Sequence, residues 1–221
     1  MPDSSKGSGG SRKRTNILKN VEAKLIAFLC CLMPSWVTSD LLTFIGFLGS
    51  IIVTLGLCMG KSNEFWLLTS IFGYAVGWFG DSLDGRLAYF RNIPRKWYGW
   101  ALDIAVDWIT VGIMGIGYYI FFDEYKFVAF IFVFVYGWSM VNSLLKYKIT
   151  DKYSIDTFLM GPTELRIIIC IFLFLEVFIN DSVLALGIGG SIILIVVNTI
   201  DLWSILKLGD VRDLAEKIQN Q

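Results

Sequence analysis

Residues 41–60 read LLTFIGFLGSIIVTLGLCMG. Twenty residues pass without a charge, and a helix of that length, rising 1.5 Å per residue, covers the roughly 30 Å hydrocarbon core of a bilayer. Uncharged apolar runs of similar character occupy 65–80, 127–145 and 182–200. Two further apolar stretches carry charges: 97–122 contains Asp103 and Asp107, and 157–179 contains Glu164, Arg166 and Glu176. The fold expected is an all-α membrane protein of six transmembrane helices preceded by an amphipathic interfacial helix. A hydrophobic content of 55% and a mean hydropathy of +0.63 agree with that class.

The segment before residue 41 supplies the interfacial helix. Ile17, Leu18, Val21, Leu25, Phe28, Leu29 and Leu32 recur at helical spacing, with Lys19, Asn20, Glu22 and Lys24 between them, the pattern of a helix lying in the membrane surface. Pro34 and Ser35 are expected to end it, and Ser39 or Asp40 to cap the next helix. The chain is thus expected to divide into a flexible basic tail (1–15), the interfacial helix (16–36), a six-helix transmembrane domain (37–208) and a cytoplasmic C-terminal tail (209–221). No cleavable signal peptide opens the sequence, whose first residues are polar.

Charge placement orients these elements. With six spans, every basic residue except Lys61 and Lys126 falls in the tails, the first helix, or the loops and span ends of one face. The positive-inside rule makes that face cytoplasmic, with both termini on it. The net charge is zero, with 19 basic and 19 acidic residues, so overall charge gives no support to nucleic-acid binding. The absence of histidine excludes Ser-His-Asp triads, His-ligated zinc and His general bases. Cys30, Cys31, Cys58 and Cys170 lie in apolar stretches without paired spacing and read as core residues. The GLCMGK run at 56–61 is one residue short of a phosphate loop; its G-x-x-x-G is expected to pack helices. Trp97, Tyr98, Trp100 and Tyr118 read as interface anchors.

The chemistry is concentrated in four aspartates. Asp81 and Asp84 lie three residues apart at the end of the second span, and Asp103 and Asp107 four apart near the start of the third; each spacing puts its pair on one helix face. The two spans are expected to be antiparallel neighbours, with all four carboxylates converging near the inner leaflet. Each intramembrane aspartate costs about 2.5–3.5 kcal/mol on insertion scales, so something must neutralise them. One or two hard divalent cations, Mg2+ or Mn2+, suit a carboxylate oxygen cage.

The run Asp81-Ser-Leu-Asp84-Gly85-Arg86-Leu87-Ala88, followed by Gly99-Trp-Ala-Leu-Asp103-Ile-Ala-Val-Asp107, resembles the signature of the CDP-alcohol phosphotransferase family, D-x-x-D-G-x-x-A-R-x8-G-x3-D-x3-D. The six-span layout and interfacial first helix are similar too, so the resemblance covers most of the chain. Two positions depart from the pattern: Tyr89 stands where the family has Arg, and nine residues precede Gly99 instead of eight. Arg91, or failing that Arg86, is the candidate for the missing arginine.

The resemblance implies that Asp81, Asp84 and Asp103 hold divalent metal against a donor diphosphate. It also implies that Gly85, Ala88, Arg91 and Gly99 border the CDP moiety, and that Asp107, also a metal ligand, is the general base. Gly161-Pro-Thr-Glu164-Leu-Arg166 resembles Glu and Arg elements of several branches of the family, and with Lys146 and Lys148 it is a candidate acceptor-binding group. The donor expected is CDP-diacylglycerol, the alternative being a CDP-choline or CDP-ethanolamine type donor with a lipid acceptor. Family members resemble homodimers. A divalent-cation transporter is the contrasting class, but transport needs polar groups across the whole bilayer, whereas these aspartates crowd at one end. An intramembrane aspartyl protease would account for two aspartates, not four.

Overall fold

The computed structural model describes residues 19–150 and 162–219, and these are helical, with no strand among the described residues. Seven helices follow one another: α1 (Lys19–Leu32), α2 (Ser39–Gly60), α3 (Leu67–Phe90), α4 (Lys96–Phe121), α5 (Lys126–Thr150), α6 (Pro162–Glu176) and α7 (Ser182–Gln219), with a 3-10 turn, Glu64–Trp66, between α2 and α3. Four of them, α2, α4, α5 and α7, are long and apolar enough to cross a membrane. This is the pattern of a multi-pass membrane protein. α3 is not among the four, although its run looked simple in the sequence. Its uncharged part is rich in Gly, Trp and Tyr, and its last turns carry Asp81, Asp84 and Arg86. The tail 1–15, Ile17, Leu18 and residues 157–161 of the fifth apolar stretch lie outside the described residues.

The closest packing is between α2 and α3. A Cβ on Gly49 would fall 2.4 Å from the Gly77 nitrogen, one on Gly73 would fall 2.6 Å from the Val53 nitrogen, and one on Gly80 would fall 2.3 Å from the Gly46 nitrogen. As residue numbers rise along α2 their partners' numbers fall along α3, so the helices are antiparallel with their backbones in direct contact. Small residues permit such an approach in a medium where apolar burial gives little drive to association. The G-x-x-x-G of α2 belongs to this seam, Gly56 against Ser70 and Gly60 against Leu67.

α4 does not pack along α3 as the short loop between them suggested; its main partners are α2 and α5. The reason is local. Thr54 of α2 donates to the Ile113 carbonyl at 3.0 Å, and a Cβ on Gly117 would lie 3.0 Å from the Thr54 Cα. The glycine seam takes one face of α2 for α3 and Thr54 takes another for α4, leaving a cleft between α3 and α4 floored by α2.

The remaining helices are joined by polar contacts. Asn198 of α7, 2% exposed, donates to the Val135 carbonyl of α5 at 2.8 Å and accepts from Ser139 at 2.8 Å, while Asn142 donates to the Asn198 carbonyl at 3.0 Å. Glu176 ends α6 and accepts the backbone N–H groups of Asp181 (2.9 Å) and Val183 (2.6 Å), so its negative charge caps the start of α7. α7 then runs for 38 residues, about 57 Å. Most of the expected C-terminal tail, 209–221, is therefore a continuation of the last helix, and Arg212 donates to the Lys148 and Ile149 carbonyls at the end of α5 (2.9 and 2.8 Å).

Several local expectations are corrected. Thr38 caps α2, its hydroxyl accepting from the Leu41 N–H at 3.2 Å, because Ser39 and Asp40 are engaged elsewhere: Ser39 donates to the Asp84 carbonyl at 2.5 Å and Asp40 pairs with Arg95. Tyr118 is no interface anchor, since its hydroxyl pairs with that of Tyr74 at 3.0 Å inside the bundle. Cys30 is buried, but Cys31 is exposed.

Candidate metal centre

Asp81 and Asp84 project from the second half of α3, and Asp103 and Asp107 from the first half of α4, at the end of the bundle where α2 and α4 begin. All four line the cleft, together with Thr43 and Gly46 of α2 and Arg166 of α6, and the cleft is partly open. Asp81, Asp103 and Asp107 each offer an oxygen, and these oxygens lie within 4.8 Å of one another. A divalent cation takes oxygens at about 2.0–2.6 Å, so two ligands on opposite sides of it stand roughly 4–5 Å apart. The three carboxylates fit that geometry and that donor chemistry.

Asp84 is placed differently. Its Oδ2 accepts from the Thr43 hydroxyl at 2.8 Å, its Oδ1 accepts from the Gly85 N–H, and its carbonyl accepts from Ser39. The first turn of α2 therefore fixes both the backbone and the carboxylate of Asp84 at the edge of the group of three. The sequence reading passed over Thr43 and took Ser39 only as a candidate cap of α2. Their signal was a hydroxyl pair four residues apart at the start of an otherwise apolar helix, one turn before Gly46.

Arg166 reaches the cleft from α6 and donates to Asp81 Oδ2 at 2.5 Å. α6 is set against α3 by Trp78, whose indole N–H donates to the Thr163 hydroxyl at 3.3 Å. Glu164, two residues earlier, is buried but does not line the cleft. Lys146 and Lys148, near the end of α5, are outside the lining as well. Of the four candidate acceptor residues, the structure brings only Arg166 to the aspartates. Gly161 lies outside the described residues.

The residues assigned to the CDP moiety fall into two sets. Gly85 and Gly99 face open space, with nothing within 4 Å of where a Cβ would stand, and Ala88 is half-buried one turn beyond Gly85. Arg91, in contrast, is turned away from the cleft. Its guanidinium donates to the carbonyls of Met33 (3.2 Å), Pro34 (2.7 Å), Ser35 (3.5 Å) and Val37, tying the α1–α2 connection to the end of α3. Arg86 is engaged as well, donating to Glu22 of α1 at 3.1 Å. Neither arginine lines the cleft: Arg86 holds α1, and Arg91 the α1–α2 connection, against α3, where Ile26 and Cys30 meet Leu83 and Leu87. The chain matches no family model and no curated protein.

Proposed function

We propose that this protein is a CDP-alcohol phosphotransferase of phospholipid biosynthesis, transferring a substituted phosphate group, with phosphatidyl from CDP-diacylglycerol favoured, to an alcohol hydroxyl with release of CMP. The observation that carries the reading is the meeting of Asp81, Asp103 and Asp107 within 4.8 Å, with Asp84 alongside, in residues whose spacing resembles the family signature. On this reading α3 and α6 complete six spans, and α1 rests in the interface on Val21, Leu25, Phe28 and Leu32, all exposed. The basic residues then put both termini and the cleft on the cytoplasmic side, where a lipid and a soluble head group meet.

Asp81, Asp103 and Asp107 would hold Mg2+ or Mn2+. Bound there, the ion supplies charge neutralisation for a diphosphate and its leaving group. Asp107 takes the proton of the acceptor hydroxyl. The hydroxyl oxygen forms its bond to the phosphorus of the transferred group as the bond from that phosphorus to the CMP oxygen breaks. Gly85 and Gly99 leave room for the nucleotide beside the carboxylates, and Thr43 keeps Asp84 in a fixed rotamer.

The test incubates purified protein in nanodiscs with Mg2+ or Mn2+, CDP-diacylglycerol or CDP-choline, and a panel of acceptor alcohols. Cation-dependent CMP release with one donor and acceptor pair is the expected result, and no CMP from any pair overturns the reading.

A further inference from the structure

Among the described residues that line the cleft, Arg166 is the one cation beside four carboxylates. Its partner Asp81 is also one of the three residues whose oxygens converge within 4.8 Å. One carboxylate thus serves a guanidinium and, on the function proposed above, a divalent ion. A guanidinium and a metal cation at neighbouring oxygens repel each other, and the repulsion is strong where walls such as Val53 and Met114 exclude water. The arginine side chain is 25% exposed and long enough to turn within the cleft while α6 stays seated by the Trp78–Thr163 hydrogen bond.

We propose that Arg166 is a built-in counter-ion that exchanges with the divalent cation. It neutralises Asp81 in the absence of the ion, and when the ion binds, the guanidinium turns from Asp81 to an anionic ligand in the same cleft. The planar, always-charged guanidinium suits both partners, since it forks onto carboxylate and phosphate oxygens alike. Binding is therefore ordered: cation first, then the diphosphate-bearing anion, whose site is completed by the released arginine. By linkage, the Arg166–Asp81 pair weakens cation binding by the same factor by which the bound cation weakens the pair.

This inference rests on the metal centre proposed above, and its test separates the two. Mn2+ binding to the purified full-length protein is followed by electron paramagnetic resonance, first alone and then with CDP as the anionic probe. Arg166→Gln is expected to bind Mn2+ on the order of tenfold more tightly than wild type, and Arg166→Lys, which keeps the charge, is expected to stay close to wild type. Once loaded with Mn2+, Arg166→Gln is expected to bind CDP about tenfold more weakly. A folding defect lowers cation affinity, so a gain is not produced by damage. Equal or weaker Mn2+ binding in Arg166→Gln overturns the exchange and leaves the phosphotransferase reading to its CMP assay. An absence of Mn2+ binding to wild type removes the metal centre and the exchange together.

Discussion

The Thr43 hydroxyl donates to Asp84 Oδ2 at 2.8 Å, joining the first turns of α2 to the last turns of α3 at the edge of the acidic cleft. Asp84 stands beside the three converging carboxylates, and partners that orient the groups around a metal site typically matter tenfold to a hundredfold in affinity or activity. Thr43→Val keeps the side chain's shape and removes the donor. The expected result is about a tenfold loss of Mn2+ affinity with the thermal midpoint little changed, measured by titration and by melting in detergent.

Asp107 is expected to be indispensable to the chemistry and dispensable to the fold. Asp107→Asn should lower CMP release by at least about a hundredfold, the range of a lost general base, while the protein still elutes as a folded species. Near wild-type turnover would remove Asp107 from the proton-accepting role.

Two glycines on one helix should behave oppositely. Gly80→Ala drives a methyl to within 2.3 Å of the Gly46 nitrogen, an overpacking expected to cost about 1–3 kcal/mol or more. Gly85→Ala meets nothing within 4 Å and raises helix propensity, so stability should hold or rise by up to about 1 kcal/mol. If Gly85 gives the nucleotide room, CDP affinity falls in that same stable variant. Melting curves and CDP binding, measured on both, decide the matter.

Arg91→Ala should act on stability. The guanidinium serves four carbonyls of the α1–α2 connection, and charged hydrogen bonds of this kind contribute about 1.5–3 kcal/mol. A loss of that order is expected, seen as a lowered melting midpoint and faster proteolysis near residue 35, with CDP affinity unchanged. A selective loss of CDP binding at full stability would return Arg91 to the donor site.

Much of the helical layout was legible from runs of uncharged residues, since hydrocarbon imposes length and composition on each helix by itself. The acidic pairs were legible for a similar local reason: three- and four-residue spacing fixes a shared face whatever the neighbours do. What escaped was relational. Nothing in the α3–α4 loop reveals that α2 keeps those helices apart, because the choice depends on Gly46 and Gly49 meeting Gly80 and Gly77 while Thr54 meets Ile113. Arg91 was read as a donor-site residue because a guanidinium near an acidic motif looks like an anion site; the structure surrounds it with the carbonyls of Met33, Pro34, Ser35 and Val37. Thr43 was passed over and Ser39 read only as a cap because their four-residue spacing shows a shared helix face but not the Asp84 that it meets.

The glycine seam between α2 and α3 also ties the acidic end of α3 to the register of α2. Two backbones in direct contact have no side chains whose rotamers can absorb a small slip, so one helix moves past the other by a whole glycine-to-glycine step or stays in register. Asp81 and Asp84 ride on one of these helices, and Ser39 and Thr43, which grip Asp84, ride on the other. The place of Asp84 against Ser39 and Thr43 is therefore tied to that register. The α5–α7 pair, by contrast, is held by the side chains of Ser139, Asn142 and Asn198.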